Sequence, residues 1–119
     1  MKSRLLVLLL IVLAGVARIE AHAFLKDAKP AVGSTVQTSP NEVQIRFTET
    51  IEPAVSSIRV FDASGKEVDK RDVHLDRWDH ALLHVSLPRL QAGTYKVMWR
   101  VVSVDTHMTN GNFTFRVGR

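Results

Sequence analysis

The chain contains no cysteine among its 119 residues. That excludes disulfides and thiolate metal ligands alike, so stability has to come from a packed core or from a bound ion. Basic residues are scattered and no Lys/Arg cluster is interleaved with aromatics, which argues against nucleic acid as a partner. No Ser-His-Asp arrangement and no paired carboxylates point to hydrolysis, so no catalytic residue is assigned. Internal repeats, low-complexity segments and domain boundaries are missing too.

Long apolar runs are also scarce, with one exception. Leu5 to Val16 is almost unbroken, preceded by Lys2 and Arg4 and followed by Arg18-Ile19-Glu20-Ala21. A positive start, a short apolar run and a small residue make a secretory signal over residues 1–21, too short for a comfortable membrane span. A retained anchor is the alternative. Cleavage after Ala21 makes His22 the first residue; cleavage after Ala23 would discard it. The signal holds Lys2, Arg4, Arg18 and Glu20, and without them the formal net charge falls from +4 to +2. Residues 22–119 then form one small exported domain, expected to be a periplasmic monomer.

What is present is alternation. Val43, Ile45 and Phe47 alternate with polar neighbours, as do Tyr95, Val97, Trp99 and Val101, while Phe113, Phe115 and Val117 share one parity. Period-two patterning predicts half-buried strands with these residues in the core. Ser57 to Asp62 and Ala81 to Leu87 read as further strands, Ala23 to Lys26 as an extended start, and Glu67 to Val73 as a weaker strand. Thr94 to Val104 is the longest, Asn110-Gly111 is a hairpin signal, and no helix is predicted after the signal. About seven strands at this spacing predict an all-β fold, a small antiparallel Greek-key sandwich or barrel, immunoglobulin-like in outline.

Candidate chemistry gathers in Val101–Gly111 together with His22. Asp105 and His107 are two apart and share one side of an extended backbone. As residue one, His22 would offer its α-amine and its ring nitrogen to one ion, closing a chelate ring. His107 would add a third nitrogen, a tetragonal set that Cu(II) prefers. Asp105 would serve either as an axial oxygen or as an orienting hydrogen-bond partner. His80 and His84 share strand parity, and with Asp76 or Asp79 they could make a second, weaker metal site; a solvated loop and strand edge holding His74, His80 and His84 is the simpler reading. Trp78 in that loop either packs over the end of the sandwich or serves a partner.

The chain resembles the periplasmic copper-binding CopC family, including its YobA-type members. The matching pieces are His22-Ala23 with Pro30-Ala31-x-Gly33-Ser34, then Phe47-Thr48-Glu49, and above all the run from Ala92 through Trp99 and Ser103 to Asp105-Thr106-His107. The resemblance implies a Greek-key β fold with a Cu(II) site on His22, Asp105 and His107. Glu49 matches an acid found near copper in some members, with Thr48 in place of a serine. A methionine-rich Cu(I) loop of other members is missing; Met98 and Met108 stand ten apart, which implies a Cu(II)-only protein. The implied role is copper resistance, homeostasis or delivery, without enzymatic activity, through a histidine brace and with a CopD-type inner-membrane transporter as partner. The rival is an oxidative copper enzyme resembling a lytic polysaccharide monooxygenase; it needs an open copper position and a substrate platform, for which this short domain leaves little room.

Overall fold

Apolar residues at every second position drive strands, because they can be buried only if one side of each strand faces a partner sheet. The computed structural model describes residues 23–118. Within them lie β1 (Leu25–Lys29), β2 (Thr35–Val36), β3 (Glu42–Phe47), β4 (Ser57–Phe61), β5 (His74–Leu75), β6 (Leu82–Ser86), β7 (Gly93–Val102) and β8 (Met108–Val117). A single 3-10 turn, Pro53–Val55, stands between β3 and β4. Among the described residues no helix is long and apolar enough to cross a membrane. The expected signal, residues 1–21, and His22 lie outside the described residues.

Two four-stranded sheets form, one ordered β1-β3-β6-β5 and the other β2-β8-β7-β4. The chain crosses between them at every connection except β5–β6 and β7–β8, which are hairpins. All pairings are antiparallel except the short parallel pair β2–β8. The expected all-β sandwich is therefore present, with two added two-residue strands. Val43, Ile45, Phe47, Tyr95, Val97, Trp99, Phe113 and Phe115 all lie in one buried cluster between the sheets. Phe47 meets Trp99 edge-on at 5.2 Å, joining the two sheets at the end nearest the Asp-x-His turn.

Two local expectations are corrected, and one of the two alternatives for Trp78 is excluded. Asn110-Gly111 does not turn the chain; it lies inside β8, where Gly111 pairs with Trp99. A Cβ at Gly111 would stand 2.5 Å from the Trp99 ring, so glycine is needed there for close approach and not for a turn. The weaker strand over Glu67–Val73 is reduced to one bridge, Phe61↔Glu67. The Val68 amide donates to the Val60 carbonyl at 2.8 Å, but the Val60 amide donates to the Asp69 carboxylate at 2.8 Å. A side chain has replaced the backbone acceptor, so the ladder stops after one rung. Trp78 covers no end of the sandwich: it is 85% exposed, with the Arg77 guanidinium over its ring at 5.4 Å.

Candidate metal centre

The longest hairpin positions the Asp-x-His pair. β7 and β8 pair in unbroken register from Gly93↔Val117 to Val102↔Met108, so the turn between them is fixed at residues 103–107. Ser103 closes it: its amide donates to the His107 carbonyl at 3.0 Å, and its carbonyl accepts from the Thr106 amide at 2.8 Å. Thr106 takes φ +71°, a left-handed conformation rare for a β-branched residue. That strain is tolerated because the flanking hydrogen bonds over-determine the turn.

Ser103 is fully buried, and its hydroxyl donates to Asp105 Oδ1 while lying 3.2 Å from the His107 carbonyl. Asp105 Oδ2 in turn stands 3.2 Å from His107 Nδ1. The Ser103 hydroxyl, and then the imidazole of His107, hold the Asp105 carboxyl below the usual aspartate range. An ionised Asp105 accepting from Nδ1–H selects the tautomer whose Nε2 lone pair can bind a metal, the usual carboxylate–histidine–metal pattern. Both side chains are exposed.

The segment after β3 runs beside this turn. Ile51 bridges to Ser103, the Val104 amide donates to the Thr50 carbonyl at 3.1 Å, and the Glu52 amide donates to the Val102 carbonyl at 2.8 Å. Glu49, half-buried, lies in the bend after β3, within the segment that runs beside the Asp-x-His turn. Among the described residues, however, no three His, Asp or Glu side chains are gathered to hold a metal. Asp105 and His107 are brought together; Glu49 is placed nearby without completing a three-carboxylate-or-imidazole set.

The start of the described chain is fastened to the same end. The Thr109 hydroxyl, two residues beyond His107, donates to the Ala23 carbonyl, and Ala23 is fully buried. Thr48 clamps the next residue, accepting from the Phe24 amide at 3.0 Å through its hydroxyl and donating its own amide to the Phe24 carbonyl at 2.9 Å. Neither threonine stands out by residue pattern alone, because each contact joins positions far apart in the chain.

The remaining histidines do not form a second centre. His84 is held on both ring nitrogens, by Glu42 at 2.6 Å and Asp76 at 2.8 Å, and stacks on His74 at 5.2 Å. His80 contributes its carbonyl, which accepts from the Ile51 amide at 3.0 Å. Met98 and Met108 are both exposed on the outer side of the second sheet, and Met108 Sδ accepts from Arg100 Nε.

The same sandwich is seen in CopC from Methylosinus trichosporium OB3b, 37% identical, with a TM-score of 0.77 over 82% of this chain and 94% of that one. It is seen again in PcoC, a methionine-rich copper resistance protein from Escherichia coli, 34% identical, with a TM-score of 0.72 over 82% and 99%. Fold and turn together thus define a small β-sandwich domain of the copper-resistance class. A CopC domain model matches residues 25–118, and the chain belongs to the CopC family. It is 34% identical to Protein YobA of Escherichia coli K12 over 98 residues, 82% of this chain and 79% of that protein. It is 29% identical to the copper transport protein CutJ of Bacillus subtilis over 100 residues, 83% of this chain but only 18% of that much longer protein.

Proposed function

We propose that this protein is exported, loses residues 1–21, and binds Cu(II) in the periplasm for copper resistance or delivery. The observation that carries the reading is the double anchoring of Ala23 and Phe24 by Thr109 and Thr48. A chain starting at His22 begins one peptide step, about 3.8 Å between Cα atoms, before that anchor. Its amine and imidazole would then meet His107 Nε2, with Asp105 acting from behind His107 and Glu49 as a further acidic neighbour. Two imidazoles and an amine suit Cu(II), and no thioether is needed. Copper here is cargo, and no step of oxygen chemistry is assigned to it. The relatives' names support resistance and transport, and a membrane transporter of the CopD type fits as the recipient.

The test is to add one residue before His22. This converts the amine to an amide and breaks the chelate, while leaving every described contact in place. Copper affinity should fall further than with any single side-chain change, and intact-mass analysis of the exported parent should give a chain beginning at His22. A parent beginning at Phe24, or an extended variant binding as tightly as the parent, overturns the reading.

A further inference from the structure

The two outer faces of the sandwich differ in charge. That of the first sheet mixes signs, with His84 set between Glu42 and Asp76 and Arg46 bonded to Asp79. The outward positions of β4, β7 and β8 contain no Asp or Glu. They carry Arg59, Lys96, Arg100 and Arg116 instead. Met98 stands at the centre, directly across from Arg59 and between Lys96 and Arg100 on its own strand. Arg116, opposite Thr94, lies diagonal to Lys96. Arg59 is neutralised by Glu67 at 3.0 Å, whereas Lys96, Arg100 and Arg116 have no ion pair among the described residues.

We propose that this face rests on an anionic phospholipid bilayer. The backbone groups of β7 are taken up by β4 and β8 on either side, so the face presents only side-chain tips in one broad surface. Three unneutralised cations around an exposed thioether, Met98 at 43% exposure, match a plane of phosphate headgroups with apolar material just beneath it. Docked this way, the β7–β8 turn lies at the rim of the contact, beside the membrane surface. The inference does not rest on copper binding, and its test uses the metal-free protein.

The chain beginning at His22 is suited to the test, since its core cluster lies wholly within residues 23–117. Co-sedimentation with phosphatidylcholine vesicles and with vesicles enriched in phosphatidylglycerol should show binding only to the second, weakening with added salt. The triple variant Lys96→Glu, Arg100→Glu, Arg116→Glu should bind at least about a hundredfold more weakly, from the contribution of each cation near such a surface. A control reversing as many charges elsewhere, Lys26→Glu, Lys29→Glu, Lys70→Glu, should stay within a few-fold of the parent. Equal loss in both triples would reduce the effect to net charge and overturn the proposal. So would equal binding to both vesicle types, no binding to either, or capture by polyglutamate in preference to anionic vesicles. Unchanged circular dichroism of both triples excludes misfolding as the cause.

Discussion

Asp105 touches both a buried hydroxyl and an imidazole, which sets the order in which substitutions at the turn should act. In the proposed site His107 is one of three nitrogen donors, so changing it to Ala should weaken copper binding greatly and remove a nitrogen signature from the EPR spectrum. Asp105→Asn keeps the shape but loses the charge that orients His107, and should cost about 10–100-fold in affinity. Ser103→Ala should act in the same direction and also lower stability by about 1 kcal/mol, because Asp105 and the turn lose a buried donor. Titrations of the three variants, with urea unfolding beside them, check the order; equal affinities for Asp105→Asn and the parent would remove Asp105 from the site. Protons compete for the same donors. The amine and the imidazoles must shed their protons to bind, so affinity should fall steeply below about pH 6.5. A flat profile between about pH 5 and 8 would mean carboxylate ligation instead.

The β7–β8 hairpin shows why an element can be legible while its turn is not. Alternation of Tyr95, Val97, Trp99 and Val101 announces β7, because period two has few other causes. Asn110-Gly111 misleads because the dipeptide's turn preference is a local property, whereas Trp99 lies on it from the opposite strand. Gly111→Ala should therefore destabilise the domain by about 1–3 kcal/mol through overpacking, a cost that urea unfolding would register. If the variant were as stable as the parent, close packing of Trp99 on β8 would not be what requires glycine. β2 and β5 were invisible for a related reason: two residues carry no period, and only tertiary pairing makes them strands. The Asp-x-His pair could be read from its spacing and from family resemblance. Thr109 could not, since its bond to Ala23 spans 86 residues of sequence.

At the scale of the whole molecule, His84 ties β6 to β3 through Glu42 and to the loop after β5 through Asp76. Burial lowers its pKa, but the hydrogen bonds and charges of Asp76 and Glu42 outweigh that and leave it above the ordinary histidine value. His74, stacked on it, and Asp72, whose carbonyl accepts from His74 Nδ1, complete the titratable surroundings. A raised folded-state pKa stabilises fully below the unfolded value near 6.5, and the gain is lost as pH rises through the higher folded value. The urea midpoint of the metal-free protein should thus decline from about pH 6.5 upward, and His84→Gln should flatten that decline. An unaltered slope in His84→Gln would assign the dependence to other groups.

The sheet margins carry a different consequence. β2 and β5 are two residues long, β1 changes register between Leu25 and Asp27, and β4 is stapled by Val68 and Asp69. β1, β4 and β5 are therefore too irregular, too covered or too short to accept another chain's backbone, whereas β2 shields only Arg116 and Val117 of the ten-residue β8. Unpaired ladders are where β proteins join edge to edge and aggregate. Among the described residues the long margin is the side of β8 that β2 leaves uncovered, Met108 to Asn112, and edge-to-edge association would start there.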